Sequence, residues 1–227
     1  MKLKDRVIVI TGALGQLGSV VTKEVLREGG VVAAVDIQDS EIAGVGRTWR
    51  ADLSSYPQTK EVLDAIAQHH GGIDGLVNIA GGFIWQTLEE SRDLTEWGEM
   101  FSMNVMTCVH ASKAVLPYLQ QRSSGRIVNI SAAGSIKAVR GMGAYAASKS
   151  GVARFTEALA DELKNHRITV NAVLPSIIDT PRNRADMPDS DFNAWVTADE
   201  VAQTIGFLLS DAAAGVTGAL LPVTGRV

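Results

Sequence analysis

The chain has 227 residues, 46% of them hydrophobic and 20% charged, and this composition excludes bulk disorder. Its 21 lysines and arginines against 25 acids give a formal net charge of −4, which argues against a protein built mainly to hold nucleic acid or an anionic membrane. The single cysteine, Cys108, excludes an internal disulfide bond and a cysteine-based zinc site. No metal site is indicated, and without a long apolar run or a secretion signal we expect a cytoplasmic location.

Short apolar runs rich in β-branched residues alternate with longer segments of helical periodicity. The apolar runs predict buried strands at residues 6–11, 31–36, 75–79, 126–131 and 168–174, with a last strand in 216–223 at the sheet edge. The periodic segments predict helices at residues 16–28, 58–69, 93–121, 144–165 and 198–209. This alternation predicts an α/β fold with a parallel sheet covered on both faces, in one domain spanning residues 1–227.

The least regular part of the chain is the segment 175–195, which holds three of the six prolines and alternating charges. A plain connecting loop is one interpretation of it. Its length exceeds that of ordinary connections, which favours a short substrate loop around residues 180–197.

The first predicted strand ends in a glycine-rich turn, TGALGQLG at residues 11–18, and a helix follows. Glycines permit φ > 0 and close approach of a ligand, and the free N–H groups of the next helix attract a phosphate. Asp36 ends the second predicted strand, where a carboxylate accepts from both hydroxyls of an adenosine ribose and repels a 2′-phosphate. The next residue is Ile37 rather than a cation, so NAD is predicted over NADP.

Tyr145 and Lys149 lie four residues apart at the start of a predicted helix and therefore share one face. A nearby ammonium group favours the phenolate and would lower the pKa of the tyrosine from about 10. That change would make the tyrosine a usable general acid and base near neutral pH. Alone, this spacing is equally typical of a solvated helix face; together with the nucleotide turn it indicates a catalytic pair.

Taken in chain order, these motifs resemble the short-chain dehydrogenase/reductase superfamily over nearly the whole chain. The resemblance rests on the TGxxGxxG turn, Asp36, Asp52-Leu53, Asn78-Ile79-Ala80-Gly81, Asn104, Asn129-Ile130-Ser131, Tyr145-xxx-Lys149 and Pro175-xx-Ile178-x-Thr180. It implies a Rossmann-type doubly wound sheet of about seven strands, in the order 3-2-1-4-5-6-7, assembled as a homodimer or homotetramer. It also implies an NAD-dependent oxidoreductase that interconverts a secondary alcohol and a carbonyl.

The resemblance also assigns roles to individual residues. Tyr145 would exchange a proton with the substrate oxygen, Lys149 would hold the nicotinamide ribose, and Ser131 would hold the substrate oxygen. Asn104 would hold a water molecule, with a satisfied core amide as the alternative. The implied cofactor contacts are Gly12, Leu14, Gly15, Gln16, Leu17, Gly18, Asp36, Asp52, Leu53, Asn78, Ala80, Gly81, Tyr145, Lys149, Pro175, Ile178 and Thr180.

Three positions depart from the family pattern. The glycine spacing is that of the extended, sugar-nucleotide branch, and we interpret it as a local variant of the phosphate-binding turn. The family serine lies about 13 residues before the tyrosine, where this chain has Ala132; Ser131, Ser135 or neither would then supply the hydroxyl. Ser176 stands where the family usually has glycine.

Gly82-Phe83 and the segment 174–195 resemble the dihydropteridine reductase branch, which keeps the tyrosine and lysine without the serine. Reduction of a cyclic imine-type substrate is therefore an alternative function, and a non-catalytic dinucleotide-binding sensor is another. Large side chains are concentrated near the expected site and indicate a flat or apolar small-molecule substrate, unless they pin the loops or fill an interface between subunits. These side chains are Phe83, Trp85, Met142, Met187, Phe192 and Trp195.

Overall fold

The computed structural model describes residues 1–45, 47–122 and 124–227. Seven strands form one parallel sheet in the order β3-β2-β1-β4-β5-β6-β9. In chain order the strands are β1 (Val7–Thr11), β2 (Val31–Asp36), β3 (Thr48–Arg50), β4 (Gly75–Asn78), β5 (Gly125–Ile130), β6 (Ile168–Pro175), β7 (Ile178–Asp179), β8 (Val196–Thr197) and β9 (Leu220–Val223). β7 and β8 pair only with each other, at the two ends of the segment predicted to be a substrate loop.

Helices connect the strands and cover the sheet on both faces. They are α1 (Gln16–Arg27), α2 (Tyr56–His70), α3 (Thr95–Met100), α4 (Thr107–Leu119), α5 (Gly143–Leu163), α6 (Pro181–Asp186) and α7 (Ala198–Leu209). A π-helical turn, Phe101–Met106, joins α3 to α4. Among the described residues, no helix is long and apolar enough to cross a lipid bilayer.

The strands are apolar throughout because each side of the sheet packs on a separate core. In β1, Ile8 and Ile10 pack with α1 and α7, whereas Val9 packs with α2, α4 and α5. All five residues of β1 are buried, as expected for a strand covered on both faces. The doubly wound α/β fold and the strand order implied by the sequence are confirmed.

Three differences between the observed and the predicted elements lie outside the substrate loop and exceed small shifts of their bounds. β3 was not predicted from periodicity, because its three residues carry no alternating apolar pattern. The predicted helix at 93–121 contains the π-helical turn, which no hydrophobic period reveals. The last strand is limited to Leu220–Val223, because residues 216–219 are irregular and Gly218 has φ +71°.

The sheet also places the candidate residues. Because its strands are parallel, the carboxyl ends of β1, β2, β4, β5 and β6 lie at one edge. Successive strands are added outward in one direction from β1 to β3 and in the other direction from β4 onward, so the strand order reverses between the neighbours β1 and β4, and this is the position at which such sheets bind ligands.

Candidate active site

The glycine-rich turn joins β1 to α1 and fits the backbone of the neighbouring strand closely. Gly12 has φ +65°, and a Cβ there would lie 2.9 Å from the Ala80 backbone. A Cβ at Gly18 would overlap the carbonyl oxygen of Gly12. Both glycines are therefore required sterically, and α1 begins beside them at Gln16 with no side chain capping its first N–H groups. Those free donors are suited to a phosphate.

The carboxylate of Asp36 is fixed against the glycine-rich turn. Its Oδ2 accepts from the Leu14 N–H at 3.0 Å, and its Oδ1 accepts from the Gln38 N–H at 3.2 Å. Arg50 is the residue paired with Asp36 across β2 and β3, and its Nε donates to the Ile37 carbonyl oxygen at 3.2 Å. A cationic residue therefore lies level with Asp36 on the neighbouring strand, although the residue following Asp36 in sequence is apolar.

The segment after β4 is held by a hydroxyl from β1. Thr11 Oγ1 accepts from the N–H groups of Ile79 and Ala80 at 3.0 and 3.1 Å. The Asn78 side chain turns into the protein instead, and its Nδ2 donates to Ser112 Oγ at 3.1 Å and to Asn129 Oδ1 at 2.9 Å. Residues 79–81 are thus placed at the sheet edge by their backbone, while Asn78 supports the strands.

A tight turn at residues 52–55 leads into α2. Asp52 Oδ1 accepts from the N–H and the hydroxyl of Ser54 at 2.9 and 2.7 Å, and these bonds lower the pKa of Asp52. The Leu53 side chain is buried in the core between the sheet and α2, and its carbonyl oxygen lies 2.9 Å from Nδ1 of His110 on α4.

Tyr145 and Lys149 lie one turn apart on α5, beside the end of β5. Lys149 Nζ donates to the Ile130 carbonyl oxygen at 2.9 Å and lies 5.9 Å from the centre of the Tyr145 ring. Burial lowers the pKa of Lys149 to about 8 and raises the pKa of Tyr145 to about 12. The expected lowering of the tyrosine pKa is therefore absent, because desolvation of the phenolate dominates.

Asn104 lies in the π-helical turn and clamps the segment after β4. Its Oδ1 accepts from the Gly82 N–H at 3.0 Å, and its Nδ2 donates to the Gly82 carbonyl oxygen at 3.1 Å and to Ser148 Oγ at 3.0 Å. Ser148 Oγ in turn donates to the Tyr145 carbonyl oxygen at 2.7 Å. The side chain is therefore a satisfied buried amide, and its predicted role of holding a water stays a prediction.

Neither candidate serine has a free hydroxyl proton. Ser131 is buried and its Oγ donates to the Lys149 carbonyl oxygen at 2.8 Å, while Ser135 Oγ donates to the Ala132 carbonyl oxygen at 2.7 Å. The residue of this loop that approaches the tyrosine is Gly134, where a Cβ would lie 3.9 Å from Tyr145 Cε1.

The predicted substrate loop is folded and tied at its base. Thr180 Oγ1 caps α6 by accepting from the Asn183 N–H at 3.2 Å, and Asn183 Nδ2 donates to the Ile178 carbonyl oxygen at 2.8 Å. Arg184 forms two bonds to Asp179, at 2.6 and 2.8 Å, and its guanidinium lies 4.8 Å from the centre of the Phe192 ring.

The aromatic side chains divide between the site and the scaffold. Phe83 is half exposed and packs edge-on against the Tyr145 ring, with centroids 4.9 Å apart. Trp85 lies against Gly141, which has φ +77° and has no room for a Cβ. Trp195 is buried and packs against Phe192, so it pins the loop, as one interpretation of the sequence expected.

Comparison with known proteins decides the family. The short chain dehydrogenase model matches residues 6–191. This chain belongs to the short-chain dehydrogenase/reductase family. It is 34% identical to the 3-oxoacyl-(acyl-carrier-protein) reductase of Pseudomonas aeruginosa and 32% identical to that of Thermotoga maritima, each match covering 99% of this chain and 98% of the relative. The ligand-free aldohexose dehydrogenase of Thermoplasma acidophilum superposes with a TM-score of 0.91 at 28% identity, over 98% of this chain and 94% of that one.

Two site residues of this short-chain dehydrogenase/reductase were missed by sequence reasoning. Thr11 was considered only as the first residue of the glycine turn. Its bonds to residues 79 and 80 could not be foreseen from the sequence, because they depend on β1 and β4 being neighbours in the sheet. Arg50 lies on the strand that periodicity did not predict, so its position beside Asp36 had no signal in the sequence. In the part of the chain that the structure describes, no group of three His, Cys, Asp or Glu side chains could hold a metal ion.

Proposed function

We propose that this short-chain dehydrogenase/reductase transfers a hydride between NAD(H) and a small molecule bearing a secondary alcohol or a carbonyl. The observation that carries the proposal is the pair Tyr145 and Lys149 on α5, with the lysine ammonium fixed on the Ile130 carbonyl oxygen. A tyrosine one helical turn from a buried cation, at the ligand-binding edge of the sheet, is suited to proton exchange with a substrate oxygen.

The residues at the sheet edge fit a dinucleotide. The glycine-rich turn and the free first turn of α1 would hold its pyrophosphate, and Asp36 would bind the adenosine ribose. Asp52 and Leu53 would flank the adenine; residues 80–81, and Pro175, Ile178 and Thr180, would border the nicotinamide half. When bound, the nicotinamide supplies or accepts the hydride.

NAD is proposed over NADP because the Asp36 carboxylate is held at the turn by the Leu14 N–H, where it would repel a 2′-phosphate. Arg50 is the residue paired with Asp36 in the sheet, and its charge would offset part of that repulsion. Dissociation constants for NADH and NADPH test the preference directly, and tighter binding of NADPH would contradict it.

Tyr145 would move the proton at the substrate oxygen. Because burial raises its pKa, a cation must favour the phenolate during the reaction. Lys149 can supply that charge, because its pKa of about 8 leaves the ammonium mostly protonated at pH 7. Phe83 covers one side of the tyrosine and would exclude water from the reacting oxygen.

The proposed substrate is flat or apolar, since the half-exposed ring of Phe83 packs against Tyr145 and the half-exposed ring of Trp85 packs against Gly141, in the segment that leads into α5.

We also propose a homodimer or homotetramer. Leu94, Trp97 and Phe101 are exposed large apolar side chains along α3 and the π-helical turn, and they suit a surface between subunits. Light scattering after gel filtration tests the assembly, and a monomer would contradict it.

A second candidate, reduction of a cyclic imine-type substrate as in dihydropteridine reductase, is favoured by one observation. The Ser131 hydroxyl donates to the Lys149 carbonyl oxygen instead of standing free to hold a substrate oxygen. A protonated imine carries its own positive charge and needs less polarisation than a ketone, so a site without a serine hydroxyl can still accept it.

The deciding experiment follows NADH oxidation with quinonoid dihydropterin and with a panel of aromatic and cyclic ketones. Ketone turnover that collapses in Ser131→Ala supports the carbonyl reaction with Ser131 holding the oxygen. Pterin turnover that survives Ser131→Ala supports the second candidate. NADH binding without turnover of any substrate would favour a dinucleotide-binding sensor and contradict both.

A further inference from the structure

His110 makes a contact that the catalytic scheme does not use. It lies on α4, half-buried, and its Nδ1 is 2.9 Å from the carbonyl oxygen of Leu53, a residue 57 positions away. A carbonyl oxygen only accepts hydrogen bonds, so this contact requires a proton on Nδ1. The imidazole therefore ties α4 to the turn that follows β3.

The same ring also contacts the helix that the turn begins. The His110 and Tyr56 rings pack with centroids 5.6 Å apart at 54°, and Tyr56 is the first residue of α2. The imidazole thus meets both the end of the turn and the start of α2. These two contacts fix the position of residues 52–55 relative to α4.

Within the turn, the local hydrogen bonds to the Asp52 side chain use only one of its carboxylate oxygens. Both bonds from Ser54 end on Oδ1, and the Asp52 N–H donates to Gln58 Oε1 at 3.3 Å. These bonds set the shape of the turn, but they all lie within residues 52–58. The bond from His110 ties the turn to α4, the helix that packs beside α2.

We propose that His110 is a positioning residue that holds the Asp52–Leu53 turn in place for the adenine of the cofactor. The inference rests on the proposed function, because it assumes that this turn flanks the adenine. A binding loop held in its bound position costs less free energy to order when the ligand arrives. Loss of the His110 bond should therefore weaken binding of any ligand that carries the adenosine half.

The test measures the dissociation constants of NAD⁺ and ADP-ribose by calorimetry for the unmutated full chain and for its variants. His110→Ala should weaken both ligands by the same factor, about three- to tenfold, the size of one lost hydrogen bond. His110→Asn should restore most of the affinity, because its amide donor stands at the same number of bonds from the backbone as Nδ1. Histidine and asparagine also have similar helix propensities, so α4 is not altered.

His166→Ala is the matched control, since His166 is exposed and lies in the turn after α5. It should leave both dissociation constants unchanged. A double-mutant cycle with Asp52→Ala adds a readout that general destabilisation would not move: once Asp52 is removed, His110→Ala should cost less than about twofold.

Three results would overturn the inference while leaving the proposed function intact: unchanged ADP-ribose affinity in His110→Ala, no recovery in His110→Asn, or full additivity with Asp52→Ala. Failure of the unmutated chain to bind either NAD⁺ or ADP-ribose is a different result. It would overturn the proposed function, and the inference with it.

Discussion

Ser131 and Lys149 are joined by a hydrogen bond from the serine hydroxyl to the lysine backbone carbonyl, 2.8 Å long. A second bond runs in the opposite direction, from the lysine ammonium to the Ile130 carbonyl oxygen at 2.9 Å. Two hydrogen bonds therefore connect the end of β5 to the first turns of α5, and together they fix the position of Lys149 relative to the sheet. Ser131 contributes to the site through the position of Lys149, whatever its part in holding a substrate.

The burial of Lys149 predicts a stabilised but inactive variant. Its pKa falls from 10.5 to about 8, so keeping the ammonium charged in the fold at pH 7 costs about 3 kcal/mol. Lys149→Met removes that cost and loses one hydrogen bond worth about 1 kcal/mol. We expect the free energy of unfolding at pH 7 to rise by about 2 kcal/mol, measured by urea denaturation.

The pH dependence of this gain has a defined sign. Between pH 8 and 10.5 the unfolded chain binds the lysine proton and the folded chain does not, so the stability contributed by Lys149 rises with pH. The advantage of Lys149→Met should therefore shrink from pH 8 upward. Lys113→Met, an exposed lysine on α4, is the control and should show no such trend. A gain that is constant with pH would contradict the assignment.

Tyr145→Phe should lower kcat at least about 100-fold, because a positioned general acid contributes 10²–10⁴ to the rate. The NADH dissociation constant should stay within about twofold, since the ring and its contact with Phe83 are retained. Steady-state rates and fluorescence titration check both quantities. Residual turnover near the unmutated rate would rule out the tyrosine as the proton donor.

Asp36→Ala should weaken NADH and strengthen NADPH binding, each by about tenfold, because it removes both the ribose acceptor and the repulsion of a 2′-phosphate. Arg50 remains beside the site and would then favour the phosphate. Titration with the two cofactors gives the ratio. Asp39→Ala, an exposed acid three residues further along, should not change it. An unaltered ratio in Asp36→Ala would remove the basis for predicting NAD.

Asn104→Ala should cost about 2 kcal/mol of stability and lower kcat at least tenfold, because the Gly82 peptide and Ser148 lose their shared partner. Asn104→Asp should not rescue it. A carboxylate can still accept from the Gly82 N–H, but it cannot donate to the Gly82 carbonyl oxygen. Thermal melts and kcat distinguish the cases, and an Asp variant equal to the unmutated chain would show that the clamp is dispensable.

The fold was predictable because apolar runs mark most of its strands and helical periodicity marks most of its helices. Strand β2 and helix α7 have the bounds that periodicity predicts, since the centre of β2 is buried on both faces and α7 buries one regular apolar face. Strand β3 was not predicted from the pattern, because three residues at a sheet edge have too little burial to show one.

The sequence allowed the candidate site residues to be named, but it did not allow their hydrogen bonds and pKa shifts to be predicted. The spacing of Tyr145 and Lys149 along a helix correctly places them on one face, since helical geometry alone decides it. The direction of the Ser131 hydroxyl depends on the packing of β5 against α5, and the pKa of Tyr145 depends on how deeply its ring is covered. Neither quantity is local in sequence.

The bonds that close the substrate loop have a practical consequence for handling the protein. The Arg226 N–H donates to the Ala194 carbonyl oxygen at 2.8 Å, and the guanidinium of Arg226 reaches the Asn193 carbonyl oxygen at 3.4 Å. The last residues of the chain are thus attached to the loop that borders the site. A purification tag joined directly to residue 227 would lie beside that attachment, so kinetic constants should be measured on protein without a tag at this position.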